Sequence, residues 1–304
     1  MRDVYKPTSG PIDYLPRPAR LGAGQFLEGT LAHGAPSSRY KLYVPKGVTG
    51  GQTFPLIVML HGCTQNPDAF AASTRMNGHA DAEPCYVLYP AQSYRANSLG
   101  CWNWFRERDQ GFDKGEPSHI AELTRHVMNR YPVDARRVYV AGFSAGGAMA
   151  AIMAGAYPEL FAAACVHSGL ARGAARSALS AMSAMQGYSG GSSTPTLTTV
   201  PTIVFHGDRD RSVHSRNGDA VLLSATLGKR YETRVQRTER TANAHAYTRT
   251  RYLDPGGQTV LEGWRVHGAG HAWFGGSPAG TFTDARGPDA TRTMLRFFSE
   301  HARG

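Results

Sequence analysis

The stretch VYVAGFSAGGAMAA, residues 138–151, passes from β-branched residues through Gly142-Phe143-Ser144-Ala145-Gly146 into an alanine-rich segment. A GxSxG match is a weak signal in a chain with 35 glycines, so the weight lies on its surroundings. A serine held up as a nucleophile at a sharp turn needs a strand before it, small residues on both sides and a helix starting at once. All of these occur here in order. The alternative use of such a turn is phosphate binding, but a dinucleotide fingerprint wants glycine where Ser144 stands and a P-loop wants GKS or GKT. Ser144 is therefore the candidate nucleophile, with the helix N-terminus aiming amides and positive dipole at the same spot.

Serine alone is a poor nucleophile near neutral pH and requires a base oriented by a carboxylate. On a strand-turn-helix nucleophile the chain order is Ser, then Asp or Glu, then His, each after a later strand. VPTIVFHG (200–207) is followed by Asp208 and Asp210, and TVLEGWRVHG (259–268) by His271 among glycines. Asp210 is preferred because Asp208 lies tight in the turn after Gly207. His267 falls at a strand end, where packing is expected, and His245 reads as a surface histidine or a substrate contact. HGDRDRSVH (206–214) gathers His206, Asp208, Asp210 and His214 but has no recognised ligand spacing, so no metal site is expected. A second oxyanion donor should come from the loop after an early strand. His61-Gly62-Cys63 fits, with the Cys63 amide beside that of Ala145; the thiol is not needed.

The elements that must position these residues can be read from hydrophobic patterning. SRYKLYVP (38–45) alternates like a strand, and PLIVMLH (55–61), CYVLYP (85–90), RRVYVAG (136–142), FAAACVHSG (161–169) and VPTIVFHG are short continuous apolar runs. SHIAELTRHVMNRY (118–131), the segment 144–157 and PDATRTMLRFFSEH (288–301) carry helical patterns between or after them. Strands alternating with helices predict an α/β fold with a mostly parallel sheet covered on both faces, its chemistry at the carboxyl ends of the strands. Residues 1–36 read as an extended arm and 37–304 as a single domain, with 171–199 a flexible insertion or lid.

The formal charge of +10 comes from scattered Arg and Lys without a basic run, which argues against nucleic acid. No apolar stretch is long enough for a membrane span, and the first twenty residues lack the apolar core of a signal peptide. A cytoplasmic location follows if Met1 is the native start. Cys63, Cys85, Cys101 and Cys165 form no zinc spacing and are compatible with one disulfide.

LHGCTQ, CWNWF, GFSAGGAMAA, VHSGL, VFHGDRD and HGAGHAW, in this order, resemble the polyhydroxybutyrate depolymerase family of esterases, related to feruloyl and acetylxylan esterases of the α/β-hydrolase fold. The resemblance covers about residues 25–302. It implies Ser144, Asp210 and His271 as a triad, Cys63 and Ala145 as oxyanion donors, no cofactor, and an extracellular or periplasmic protein. It also implies a Cys63–Cys101 disulfide, leaving Cys85 and Cys165 as buried thiols. Trp102 and Trp273 each adjoin a turn-rich segment and are expected at the rim of the cleft as substrate contacts; Trp104 fits the core as well as the pocket.

The expectation is a serine esterase working through an acyl-enzyme on a short-chain polyhydroxyalkanoate such as poly-3-hydroxybutyrate or on its oligomers. A feruloyl or acetyl ester of plant polysaccharide is the alternative. A non-catalytic binder of the same fold would have a broken triad, and none of the three members is missing. An acyltransferase would share the triad and differ in excluding water.

Overall fold

The computed structural model describes residues 24–31, 38–48, 51–188, 200–226 and 229–304. Its strands are β1 Gln25–Leu31, β2 Ser38–Val44, β3 Phe54–Leu60, β4 Tyr86–Pro90, β5 Val133–Phe143, β6 Ala163–His167, β7 Thr202–Gly207, β8 Glu232–Arg237, β9 Tyr247–Leu253, β10 Thr259–Val266, β11 Trp273–Phe274 and β12 Thr283–Asp284. Its helices are α1 Pro67–Thr74, α2 Met76–Ala82, α3 Gly115–Arg130, α4 Ala145–Ala156, α5 Ala178–Met185, α6 Arg216–Thr226 and α7 Ala290–Ser299. Ten strands form one sheet in the order β1-β2-β4-β3-β5-β6-β7-β10-β9-β8, and β11 pairs with β12. The six strands from β4 to β10 run parallel, flanked by antiparallel pairs at both edges. This is the mostly parallel α/β sheet expected from the patterning, in the α/β-hydrolase arrangement that the resemblance implies.

The continuous apolar runs are explained by burial on both faces. In β3 and β5, Leu56, Val58, Leu60, Val138 and Val140 face α3 and α4, where Ile120, Leu123, Val127, Met149 and Met153 meet them. The alternating partners Ile57, Met59, Tyr139, Ala141 and Phe143 face the opposite layer, with Phe70, Met76, Met294, Phe297 and Phe298 of α1, α2 and α7. Each such side chain contributes about 1.5–3 kcal/mol on burial, so these central strands cannot slip register without exposing a whole face.

The structure differs from the sequence reading at one point and adds to it at two. Residues 25–31, read as part of the arm, form β1, paired with β2 from Gln25↔Val44 to Leu31↔Ser38. Phe26 packs toward one core layer while Leu27 and Leu31 pack toward the other, which anchors the strand. The first half of the expected insertion contains α5, capped by a reciprocal Ser177–Ser180 pair and held by Asn217 Nδ2, which donates to the Ala184 carbonyl at 2.9 Å. Its remainder, 189–199, lies outside the described residues, as do residues 1–23 of the arm. Finally, the antiparallel strands β8 and β9 extend the sheet beyond β10. Their attachment runs through Glu262, a buried carboxylate on β10 that accepts from Arg249 on β9 at 2.8 Å and from Arg296 on α7 at 2.5 Å.

Candidate active site

The carboxyl ends of β3, β5, β6, β7 and β10 converge on Ser144. This residue lies between β5 and α4 at φ 56° and ψ −120°, a left-handed conformation that is strained for a serine. Two glycines make the turn sterically feasible. A Cβ on Gly142 would meet the Gly146 carbonyl oxygen at 2.1 Å, and one on Gly146 would meet the Leu60 and His61 carbonyl oxygens at 2.0 and 2.6 Å. The turn is fixed from β6, whose His167 carbonyl accepts from the Ser144 amide at 2.9 Å.

His271 lies in the loop between β10 and β11. The Ser144 hydroxyl donates to its Nε2 at 2.9 Å, and its Nδ1–H donates to Asp210 Oδ2 at 2.7 Å. The other Asp210 oxygen accepts from the Ser212 and Val213 amides at 2.9 and 2.8 Å. Burial alone would raise the Asp210 carboxyl. The hydrogen bonds from His206 and His271, the His271 charge and the Val213 amide outweigh it and hold the group well below the usual carboxylate range. An anion beneath His271 orients the ring with its lone pair toward the serine.

The rival residues are drawn elsewhere. Asp208 accepts from His267 Nδ1 at 2.8 Å and from the Gly268 amide at 2.7 Å, so the two alternatives pair with each other. His267 is also partly exposed rather than packed, with Nε2 2.9 Å from Thr248 Oγ1. His245 is buried against Asp284 at 2.8 Å, not at the surface. Among the described residues no group of His, Cys, Asp and Glu is placed to hold a metal ion.

The turn after β3 lies against the first turn of α4, where a Cβ on Gly146 would meet the Leu60 and His61 carbonyl oxygens. The Gly62 amide donates to Gln65 Oε1 at 3.0 Å, Thr64 to the Leu99 carbonyl at 2.8 Å and Gln65 to the Gly62 carbonyl at 3.3 Å. These bonds engage the neighbours of Cys63 and fix the peptide that carries its amide. Beneath the turn, His61 Nδ1–H donates to the Gly62 carbonyl at 2.8 Å and Nε2 accepts from the Gln92 amide at 3.2 Å. Gln92 is held in turn by Glu116 at 2.6 Å. The Cys63–Cys101 disulfide is present, closing a separation of 38 residues and tying the turn to the 92–103 loop. Cys85 and Cys165 are free and buried, and burial pushes both thiols up, which makes them inert.

Neither tryptophan expected at the rim is there. Trp102 is 4% exposed, with its indole N–H donating to the His61 carbonyl at 3.1 Å. Trp273 is 1% exposed, donates to Thr291 Oγ1 at 3.0 Å and stacks on His167 with ring centroids 4.7 Å apart. Their neighbouring turns are exposed, but the large apolar rings gain more from the core. Trp104 is also buried.

Three residues of the site were not singled out by sequence reasoning for the roles they have. His206 sends Nε2–H to the Val213 carbonyl at 2.8 Å and lies 3.5 Å from Asp210 Oδ2. His167 is fully buried, with Nε2 accepting from the Phe274 amide at 3.2 Å, so that it joins the nucleophile turn to the segment following His271. Gln65 is buried within the turn described above. The sequence signal for His167 and His206 is a polar residue at the end of an apolar strand run, and Gln65, five residues beyond β3, has none.

The profile of the Esterase PHB depolymerase family matches residues 38–230, a span that includes Ser144 and Asp210. The chain belongs to this family. It is 38% identical over 127 residues to poly(3-hydroxyalkanoate) depolymerase C of Paucimonas lemoignei, covering 42% of this chain and 30% of that protein. It is 32% identical over 142 residues to feruloyl esterase B of Thermothelomyces thermophilus, covering 45% and 46%. The chain thus spans less than half the length of these curated relatives. An acetyl xylan esterase structure from Aspergillus awamori superimposes with a TM-score of 0.65 at 21% identity, covering 86% of this chain and 94% of that one, a likeness of fold.

Two outcomes follow. Burial lowers His61 to about 4 and His167 well below the usual histidine value, His167 being further lowered by His206 and His271. Unfolding frees both rings to take up protons near pH 6.5. Their stabilising contribution is therefore complete above about pH 6.5 and is lost below it, at up to about 1.4 kcal/mol per pH unit for each ring. The melting temperature should fall from pH 6.5 to 4.5, before Asp210 begins to protonate; a flat profile over that range would contradict neutral burial. Replacing Cys63 and Cys101 together by Ala should cost about 4 kcal/mol in loop entropy and lower Tm by roughly 5–10 °C. Calorimetry measures the loss.

Proposed function

We propose that the protein is a serine esterase that cleaves carboxylic esters through an acyl-enzyme. The observation that carries this reading is the continuous chain Ser144 Oγ, His271 Nε2, His271 Nδ1, Asp210 Oδ2, with links of 2.9 and 2.7 Å across the site. In the first half-reaction His271 Nε2 takes the hydroxyl proton as Ser144 Oγ attacks the ester carbonyl. The Cys63 and Ala145 amides receive the developing oxyanion, and Asp210 stabilises the imidazolium. Collapse breaks the ester C–O bond, and His271 returns the proton to the departing alcohol. Water then enters by the same route, giving the free acid and restoring Ser144. The reaction needs no cofactor.

The substrate read first is a short-chain polyhydroxyalkanoate or its oligomers. The name of the Paucimonas lemoignei relative supports it. A second reading, an acetyl or feruloyl ester of a polysaccharide, is favoured by a cavity of about 420 Å³ beside the oxyanion turn. His61, Gln65, Asn66, Asp68, Gln92 and Arg95 are among its lining residues, a set of donors and acceptors suited to sugar hydroxyls. The disulfide supports an oxidising compartment, extracellular or periplasmic. Among the described residues no helix is long and apolar enough to cross a membrane.

Ser144→Ala should reduce p-nitrophenyl ester turnover by at least about 10⁴-fold and abolish fluorophosphonate labelling while the chain stays folded. Retained turnover would sink the mechanism. Asp210→Asn should lower kcat by about 10³–10⁴-fold by releasing the His271 tautomer. Initial rates on hydroxybutyrate oligomers, methyl ferulate and acetylated xylan decide the substrate class: a preference for the oligomers is expected, and a preference for either polysaccharide ester assigns the second reading.

A further inference from the structure

We infer that Phe282 is a specificity-determining residue, an apolar wall that reads one arm of the ester substrate; this rests on the esterase reading above. Its backbone has φ 52°, in the left-handed region that a bulky residue adopts only under strain. Its side chain is 46% exposed, so burial returns only part of that cost. A large apolar group that is both strained and half open to water contributes little to folding, and such outliers persist where surrounding bonds over-determine them.

Those bonds are present on both sides of the residue. Gln65 Nε2 donates to the Thr281 carbonyl at 3.2 Å and lies 3.0 Å from Thr281 Oγ1, while its Oε1 holds the Gly62 amide of the oxyanion turn. Ser73 Oγ donates to the Thr281 carbonyl and accepts from the Thr281 amide, both at 3.0 Å. The Phe282 carbonyl accepts from the Trp273 amide at 2.7 Å, two residues beyond His271. The peptide carrying the ring is thus tied to the segment bearing the proposed base and to the turn bearing a proposed oxyanion donor.

The ring lies one aromatic layer away from the proposed base. Its centroid is 6.3 Å from that of Phe143, the residue preceding Ser144, and Phe143 is itself 4.8 Å from the His271 ring. A Cβ on Gly62 would come within 3.0 Å of the Phe143 ring, so the oxyanion turn borders the same aromatic. Phe282 therefore lies as a half-exposed aromatic beside Phe143, the ring that itself touches His271 and borders the 61–65 turn. An acyl or alcohol group that is aromatic or has a branched or extended alkyl chain would bury the open part of the ring; an acetyl or methyl group is too short to do so.

Two ester series test this on the full chain: p-nitrophenyl acetate, butyrate and hexanoate for the acyl arm, and methyl, phenyl and benzyl acetate for the alcohol arm. In Phe282→Ala, the ratio of kcat/KM for the large to the smallest member should fall about tenfold in one series, through KM. The series that responds identifies the arm. Phe282→Tyr should restore the ratio. A purely structural role predicts equal loss on every ester with a lowered Tm, and that result, or an unchanged ratio in both series, overturns the inference. If Ser144→Ala abolishes turnover while Phe282→Ala leaves both ratios intact, only this inference fails; if Ser144→Ala retains turnover, the esterase reading fails first.

Discussion

The close approach of α4 to the end of β3 is the constraint on which the site is built. The first turn of the helix lies so near the Leu60 and His61 carbonyls that residue 146 has no room for a side chain. This contact brings the N-terminus of α4 against the start of the 61–65 turn, although the two are more than eighty residues apart in the chain. It also forces β5 to reverse direction within one residue, and Ser144 takes the strain. The cost is of order 1–3 kcal/mol, met by the apolar layers that clamp β3, β5 and α4 together.

A second layer of contacts sets where the histidine meets that serine. His167 reaches the nucleophile turn with its carbonyl and the segment beyond His271 with its ring. Both protonation sites of this imidazole face hydrogen-bonding partners, and its faces are covered by Phe205 and Trp273. A neutral, fully satisfied ring of this kind acts as a spacer of fixed dimensions between β6 and β11. His61 does the same beneath the oxyanion turn, with Trp102 against it. The two tryptophans support the site from within the core.

Much of this was legible in the sequence, for a physical reason. The central parallel strands are buried on both faces and appear as continuous apolar runs, and the residues at their carboxyl ends are forced into one row. Order therefore singled out Ser144 and narrowed its partners to Asp208 or Asp210 and His267 or His271, with the choice of Asp210 and His271 resting on turn tightness and loop context. The edge strands carry no such signal: β8 is Glu-Thr-Arg-Val-Gln-Arg and wholly exposed, and β9 alternates threonine and arginine because its burial is partial. Glycines in and beside β1 obscure its alternation. The tryptophans were misplaced because local turn content says nothing about which way a ring points. Gln65 and Phe282 are tied together across 216 residues through Thr281, a contact that no local pattern carries.

The loop after β7 and the loop after β10 present two Asp–His pairs, and their difference defines what makes one of them a candidate base. Asp208 with His267 and Asp210 with His271 have nearly the same separation, 2.8 and 2.7 Å. The Asp208 side chain is 31% exposed and that of Asp210 is 0%, so water screens the first pair and not the second. His267 addresses a threonine hydroxyl on an antiparallel strand paired to Arg265, with no helix N-terminus beside it. His271 addresses a hydroxyl at the head of α4. The same two functional groups at the same distance thus brace a sheet edge in one place and face a strained serine in the other. Chemistry depends less on the pair than on the turn toward which its free nitrogen points.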